Sequence, residues 1–243
     1  MQQNRKNAEH LPTQNVTYRH EYKYVIDNLQ VELLKSRLSE IMRIDSHADA
    51  YGGYQVRSLY FDDYDDSCYY DNENGNDERK KFRIRIYNAS DARITLELKK
   101  KKYGKTQKQS CAITKNQVQS LISGEMLLWD DSADPLMKEF YIWMRTKCAS
   151  PKIIVNYERI PFVCPDGNVR ITIDTNITAS VRIDEFFCTE FRGRPIMPVS
   201  KQILEVKYDT FLPDYIFRTL QTNHLNRVTC SKYYLCRKYG GII

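Results

Sequence analysis

The stretch KKFRIRIYN (80–88) decides how the chain folds, because arginine and isoleucine alternate along it. Successive side chains of a β-strand point to opposite faces of a sheet. Arg83 and Arg85 therefore share one face of the strand. The other face carries three apolar side chains, those of Phe82, Ile84 and Ile86. The stretch predicts a strand with one apolar face and one face that holds two neighbouring positive charges.

Further stretches alternate in the same way or contain runs of β-branched residues, and they also predict strands. They are YRHEYKYVI (18–26), VRSLYFDD (56–63), RITLELKKK (93–101), KIIVNYERIPF (152–162), VRITIDTNI (169–177), SVRIDEFF (180–187) and ILEVKYD (203–209). Turn-forming segments such as ENGND (73–77) and PDGN (165–168) separate them. The strands outnumber the helices that the sequence predicts.

Four segments predict helices. Residues 28–44 are amphipathic, TKNQ (114–117) is a capping box, Asp134 and Pro135 begin a helix over 134–147, and residues 213–223 form the last one. Many antiparallel strands with few helices predict an α+β fold whose sheet closes into an antiparallel β-barrel. Since no repeat or linker divides the chain, we predict one domain over residues 16–243 after a disordered tail over residues 1–15.

Composition narrows the class of protein. With 42% hydrophobic and 28% charged residues the chain can bury a sizeable core. A formal net charge of +6 favours an anionic partner, which is a nucleic acid, an anionic lipid or a phosphorylated small molecule. Seven cysteines without a CxxC pair fit neither a disulfide framework nor a zinc site. The polar N-terminus and the lack of a long apolar run predict a cytoplasmic protein without a membrane segment, and nothing in the sequence indicates a membrane partner.

Charged residues also share faces on other predicted strands. The sets are Glu21 with Lys23, Glu97 with Lys99, Tyr157 with Arg159, Arg170 with Thr172 and Asp174, and Glu205 with Lys207. An antiparallel sheet with one face in water shows the same alternation, so a solvated sheet stays open as an alternative. Two features favour inward-facing charges. Arginine is frequent, and its guanidinium matches phosphate oxygens. Carboxylates also recur beside the basic residues, as a metal-bridged polyphosphate site needs. Like charges in a closed tunnel repel each other unless a polyanion fills it.

Eight short motifs then carry a resemblance to a known family. In chain order they are HEYKY, SLYFD, FRIRIY, LELKKK, VNYERIPF, VRITIDTN, LEVK and CSKYYL. From about residue 18 to residue 237 the chain resembles the vacuolar transporter chaperone (VTC) domain, a polyphosphate polymerase of the triphosphate tunnel metalloenzyme, or CYTH-like, superfamily. The resemblance implies a β-tunnel that binds a triphosphate together with a divalent metal, Mn²⁺ or Mg²⁺.

Matching the motifs residue by residue implies a set of site residues. The phosphate ligands would be Lys23, Arg83, Arg85, Lys99, Arg159, Arg170, Lys207 and Lys232, with Tyr157 in support. The catalytic residues among them would be Arg83, Arg85, Lys99, Arg159 and Lys207. Glu205 is the first candidate for the metal ligand, followed by Glu21 and Glu97, and Asp174 is either another lumen carboxylate or the partner of an arginine.

The resemblance implies an ATP-dependent phosphotransferase that adds the γ-phosphate of ATP to a growing polyphosphate chain. A metal-dependent tri(poly)phosphatase and a non-catalytic polyphosphate-binding module remain alternatives. The polymerase is favoured because Arg19 stands where the hydrolases have the first acid of E-x-E-x-K. Nucleic acid is not expected as a partner, since the interleaved carboxylates would repel its backbone. For Lys105 and Lys108, a solvated hairpin is weighed against a guide for the polymer.

Overall fold

One antiparallel sheet forms the frame of the molecule. The structure is a computed structural model that describes residues 19–222 and 225–240. Its strands are β1 (His20–Asp27), β2 (Arg43–Ile44), β3 (Tyr54–Asp62), β4 (Arg79–Tyr87), β5 (Ser90–Lys102), β6 (Lys105–Ala112), β7 (Ser150–Cys164), β8 (Val169–Ser180), β9 (Arg194–Pro195) and β10 (Lys201–Tyr208). They pair in the order β1-β10-β8-β7-β3-β4-β5-β6, while β2 pairs with β7 and β9 with β8.

The sheet curls into a half-barrel, which corrects the prediction of a closed barrel. The two edge strands are β1 and β6. Within the described residues they meet at a single bridge, where Arg19 and Thr106 exchange two backbone hydrogen bonds of 3.1 and 3.2 Å. A closed barrel needs a continuous ladder between its edges, and here the edges meet at one point.

Within the described residues, six α-helices lie on the sheet. They are α1 (Asn28–Ser39), α2 (Ser67–Glu73), α3 (Lys115–Ile122), α4 (Pro135–Lys147), α5 (Asp214–Leu220) and α6 (Lys232–Leu235), and α6 continues into a π-helical turn over Cys236–Gly240. Two predicted starts are confirmed: Thr114 and Gln117 form the capping box of α3, and the Asp134 side chain accepts from the Leu136 N–H ahead of α4.

Several boundaries differ from the sequence prediction. Helix α1 ends at Ser39 and not at residue 44, because Arg43 and Ile44 pair with β7. The predicted strand over 180–187 is a 3-10 helix at Ile183–Phe187. Strand β6 and helices α2 and α6 were not predicted. The proposed tail over residues 1–15 lies outside the described residues.

The apolar faces of the strands point outward and are covered by helices. Phe82, Ile84 and Ile86 of β4 are fully buried. Phe82 packs against Phe140 and Trp143 of α4 with ring centroids 5.0 Å apart in both pairs. A second apolar cluster joins α1 and α5 to β8 and β10. Since both clusters lie on the outer side, the charged faces of the strands are left to the concave side of the sheet.

Candidate active site

The concave side of the sheet encloses a cavity of about 570 Å³ that opens to solvent. Fourteen residues line it, and eight of them are lysine or arginine. The eight are Lys23, Lys81, Arg83, Arg85, Lys99, Arg159, Lys207 and Lys232. The others are Glu21, Glu205, Tyr60, Tyr157, Tyr233 and Ser231. The alternation of charged and apolar residues therefore produces an inward-facing basic cavity, and the alternative of a solvated sheet is wrong for these strands.

Cross-strand register places opposite charges beside each other in this cavity. Lys23 lies opposite Glu205, and Glu21 lies opposite Lys207, in the ladder between β1 and β10. Arg83 lies opposite Glu97 in the ladder between β4 and β5. Directly opposed unlike charges stabilise an antiparallel pair. The sheet can therefore hold many cations on one face without losing its ladder hydrogen bonds.

Glu97 is the buried counter-ion of the two arginines that dominate the sequence pattern. Its Oε2 lies 2.6 Å from Arg83 Nη2 and 3.7 Å from Arg85 Nη1. Its Oε1 lies 2.6 Å from Lys108 Nζ. Burial alone would raise the pKa of Glu97, but these three cations hold it well below its usual range. Lys108 thus reaches a buried carboxylate and is more than part of a solvated hairpin.

Glu205 is the buried carboxylate with the largest set of cationic partners. Its carboxylate lies 2.9 Å from Lys207 Nζ, 2.9 Å from Lys232 Nζ and 3.3 Å from Lys23 Nζ. Burial would raise the pKa of Glu205, but the three lysines keep it well below its usual range. Glu205 is therefore ionised and central in the cavity.

Asp174 orients an arginine, which decides between the two roles considered for it. Arg159 donates through Nε and Nη2 to the two Asp174 oxygens, at 2.6 and 2.7 Å. This bidentate geometry fixes the plane of the guanidinium. Asp174 is fully buried and does not line the cavity, so it supports Arg159 from behind.

Aromatic side chains complete the wall. Tyr157 is 3% exposed, and the cationic groups of Arg159 and Lys232 lie 5.2 and 5.0 Å from its ring centroid. Its hydroxyl accepts a 3.4 Å hydrogen bond from Arg85. Tyr60 accepts a 2.8 Å hydrogen bond from Arg83. Ring faces stabilise nearby cations, so these tyrosines hold the guanidinium and ammonium groups in place.

Lys232 reaches the cavity because side chains of the C-terminal segment bind the end of β3 and the residue that precedes α2. The Tyr233 hydroxyl donates to Asp62, and Arg237 donates to both oxygens of Asp66 at 3.1 and 2.8 Å. Lys232 follows Ser231, whose side chain caps α6. The late motif CSKYYL therefore supplies one cation and one aromatic residue to the site.

Eight of the nine predicted substrate-binding residues line the cavity, and Arg170 does not. Arg170 Nη2 lies 2.9 Å from Asp45 and donates to the Tyr54 hydroxyl at 2.8 Å. Sequence reasoning missed Lys81, although it lies two residues before Arg83 on the same face of β4. Extending the alternation by one step would have found it.

The carboxylates have the right chemistry for a hard divalent cation, but they do not form a complete site. Among the described residues, no group of three or more His, Cys, Asp and Glu side chains could hold a metal ion. Glu97 does not line the cavity, so it fits poorly. Glu205 and Glu21 do line the cavity. Mg²⁺ is commonly held by one or two carboxylates together with substrate phosphates, and these two residues fit that arrangement.

Two cavity lysines make the stability of the ligand-free protein depend on pH. Burial, together with the nearby charge of Lys23, lowers the pKa of Lys81 to about 7 and that of Lys99 to about 8. The unfolded chain keeps both lysines protonated to near their ordinary pKa of 10.5. Because the unfolded state then binds more protons, the free energy of unfolding rises with pH between about 7 and 9. Above that range the cysteine thiols, whose pKa burial raises, act in the opposite direction.

We therefore expect the melting temperature to rise by a few degrees between pH 7.0 and pH 8.5. Differential scanning fluorimetry without phosphate measures it. The Lys81→Met variant should show a smaller rise. A melting temperature that falls over this range in the wild-type protein would show that both lysines stay charged.

Comparison with known proteins identifies the family. A family model described as the VTC domain matches residues 18–239. The chain belongs to the VTC domain family. This confirms the resemblance that the eight motifs carry. A search of curated proteins finds no match. Among the described residues of this VTC domain, no helix is long and apolar enough to cross a membrane.

Solved structures give more distant likenesses. A candidate adenylate cyclase from Bacillus halodurans has a TM-score of 0.47 and 12% identity, over 84% of this chain and 87% of that chain. The PH1819 protein of Pyrococcus horikoshii has a TM-score of 0.48 and 15% identity, over 91% and 99%. A candidate adenylyl cyclase from Hippeastrum with a dominant triphosphatase activity has a TM-score of 0.44 and 14% identity, over 84% of each chain.

Proposed function

We propose that this VTC domain is an ATP-dependent polyphosphate polymerase, a phosphotransferase that adds the γ-phosphate of ATP to a growing inorganic polyphosphate chain. The observation that supports it most is the cavity with eight cations, two lining carboxylates and no histidine among its described lining residues. Phosphoryl transfer needs positioning and charge neutralisation more than covalent help from the protein. A basic cavity without a nucleophile–base pair suits that demand.

In the proposed reaction an oxygen of the terminal phosphate of the polymer attacks the γ-phosphorus of ATP. The bond between the γ-phosphorus and the β–γ bridging oxygen breaks, and ADP leaves with that electron pair. The attacking oxygen is already anionic near neutral pH, so no general base is needed. Arg83, Arg85 and Arg159 present planar forks of donors to phosphate oxygens, and Lys99 and Lys207 add point charges.

The carboxylates keep the site charged and ordered before a substrate binds. Arg83 and Arg159 share their donors with buried carboxylates, those of Glu97 and Asp174. An incoming phosphate can bind the remaining donors of the same guanidinium. The guanidinium groups then need little rearrangement to stabilise the charge of the transition state.

Glu205 and Glu21 would hold the divalent metal, Mn²⁺ or Mg²⁺. When bound, the metal supplies charge neutralisation to the phosphate oxygens. Glu21 lies on β1 and Glu205 on β10, so they would hold the metal on the side of the cavity away from Arg83 and Arg85 of β4. The donor triphosphate would thus contact cations from both halves of the curled sheet.

We further propose that the half-barrel closes into a tunnel around the bound chain. The bridge between Arg19 and Thr106 already joins the two edge strands, and closure would pair more of their backbone groups. The single domain over residues 16–243 is part of this proposal. A cytoplasmic location is also part of this proposal. It is supported by the seven cysteines, which form no disulfide.

The products formed from ATP test the proposed function. Purified protein is incubated with ATP and Mn²⁺, and polyphosphate is resolved by length on a gel while ADP and free phosphate are quantified. We expect a ladder of polymer and ADP in equal amount to the phosphate incorporated. Free phosphate equal to ADP, without polymer, would establish the triphosphatase instead. Binding without turnover would leave the polyphosphate-binding module.

A further inference from the structure

A groove of about 1010 Å³ runs along α4 on the outer side of the sheet. The apolar side chains of Ile142 and Trp143 line it, together with Lys80 from β4 and with Lys138 and Lys147 from α4. Ile142 is half exposed. The groove therefore combines an apolar floor with three cations, and none of these five residues lines the cavity.

The three lysines of the groove lack acidic partners. Within residues 19–222 and 225–240, none of them forms an ion pair. Lys138 Nζ donates to the backbone carbonyl of Asp131 at 2.7 Å. Glu139 also lines the groove, but its carboxylate lies 3.2 Å from Lys100 Nζ. Uncompensated cations beside an apolar surface favour a partner that is both acidic and apolar.

The loop over residues 123–134, which joins α3 to α4, exposes apolar side chains. Leu128 is 94% exposed, and Met126 and Trp129 are nearly half exposed. Trp129 is held in place, because its Nε1 donates to Asp131 at 2.7 Å and its ring centroid lies 5.1 Å from that of Tyr141 on α4. Exposed apolar clusters are typical of protein interaction sites, and an ordered segment loses little conformational entropy when it binds.

The same loop also carries three exposed carboxylates, those of Glu125, Asp130 and Asp131. In the part of the chain that the structure describes, none of the three forms an ion pair. Asp130 accepts hydrogen bonds from the Ser132 N–H and hydroxyl, at 2.8 and 2.6 Å, and Asp131 accepts from Trp129. All of these donors are neutral. The loop is therefore acidic and apolar, whereas the groove is basic and apolar.

The loop and the groove are neighbours along α4. Lys138 lines both the groove and a hollow between the loop and α4. The loop precedes the first turn of α4, whereas the groove extends to Lys147 in its last turn. Two α4 helices that pack antiparallel therefore bring the loop of each copy to the groove of the other. The same patch then serves both copies, which is the geometry of an isologous dimer.

We propose that this surface binds a second copy of the chain in a two-fold symmetric dimer. Leu128 of each copy enters the groove of the other and contacts Trp143, and the loop acids face Lys80 and Lys147. Both halves of the contact belong to this chain, which is why a second copy fits better than an unrelated acidic protein. The contact lies on the outer side of the sheet, so the cavity of each copy stays open, and the inference is independent of the proposed function.

The oligomeric state of the whole chain is the first test. Sedimentation equilibrium at about 1–100 µM covers dissociation constants in the micromolar range. We expect a reversible monomer–dimer equilibrium that weakens several-fold between about 0.1 and 1 M salt, because exposed ion pairs are screened. A wild-type chain that is monomeric at every concentration would overturn the inference and leave the groove to a different partner.

The Leu128→Asp variant tests the apolar contact. Symmetry introduces two such changes into every dimer, so dimerisation should weaken about 100-fold. Leu29→Asp is the matched control, since Leu29 is 80% exposed on α1, which packs on the other apolar cluster, and this variant should dimerise as the wild type does. Both variants should melt near the wild-type temperature, because neither side chain is buried. A dimer that persists in Leu128→Asp would contradict the inference.

An exchange of charges tests the pairing of loop and groove directly. Glu125→Lys with Asp130→Lys makes the loop basic, and Lys80→Glu with Lys147→Glu makes the groove acidic. Each double variant alone should be monomeric, because like charges then face each other at both contacts. An equimolar mixture of the two should form a mixed dimer, since every loop then faces a groove of opposite charge. Dimers of either variant alone, or a mixture that stays monomeric while both variants melt as the wild type does, would refute the proposed contact.

Discussion

Replacing Arg83 by alanine is expected to lower turnover about 100-fold while the protein stays folded. Arg83 lines the cavity and donates through three nitrogens, two to Glu97 and one to Tyr60. Removing one preorganised donor to a transition-state oxygen typically costs 10²–10³ in turnover. The stability loss should be small, because Glu97 keeps Lys108 at 2.6 Å and Arg85 at 3.7 Å.

Steady-state rates of ADP formation and a melting curve check this result. Lys80→Ala is the matched control, since Lys80 is exposed on the opposite face of the same strand. Arg83→Lys should recover only part of the rate, because lysine keeps the charge and loses the planar fork. A large drop in melting temperature with retained turnover would show that Arg83 is structural.

Replacing Glu205 by glutamine is expected to abolish both turnover and its dependence on Mn²⁺. The side chain keeps its shape but loses the charge that would hold a divalent cation. It also leaves Lys23, Lys207 and Lys232 short of a buried partner. Breaking such a buried arrangement costs about 3 kcal/mol, so the melting temperature should fall.

Added tripolyphosphate should restore much of that lost stability, because it replaces the missing negative charge and binds only the folded protein. Rates across a Mn²⁺ titration and melting curves with and without tripolyphosphate measure both effects. Glu158→Gln is the control, since Glu158 is exposed on β7 and accepts a hydrogen bond from Asn176. If Glu205→Gln kept the wild-type response to Mn²⁺, the metal site would lie elsewhere.

Local patterns in the sequence predicted most of the sheet, because a strand with one covered face alternates every second residue. Strand β6 was not predicted, because its sequence KTQKQSCA is polar on both faces. The segment 180–187 was mistaken for a strand, but its residues 183–187 form a 3-10 helix. The carbonyls of Phe186 and of the following Cys188 accept hydrogen bonds from buried Arg57. Closure of the barrel depends on how far the two edges approach, which no local pattern encodes.

The sequence predicted which side chains point into the site, because the strand period and the residue types determine this. Arg83, Arg85 and Lys207 alternate with buried residues, so their direction follows from the strand period. The partners of each charge do not follow, because they depend on cross-strand register and on distant segments. Lys108 reaches Glu97 from the next strand, and Arg170 turns to Asp45 instead of the cavity. Lys232 enters from the far end of the chain on a short helix that no pattern predicted.

The most direct test of the central claim is to locate the phosphates. A crystal structure with tripolyphosphate and Mn²⁺, with anomalous data at the manganese edge, gives both positions. We expect phosphate oxygens within hydrogen-bond distance of Arg83, Arg85 and Arg159, and Mn²⁺ between phosphate oxygens and Glu205. Phosphate bound on the outer face of the sheet, with the cavity cations still paired only to their carboxylates, would contradict the account.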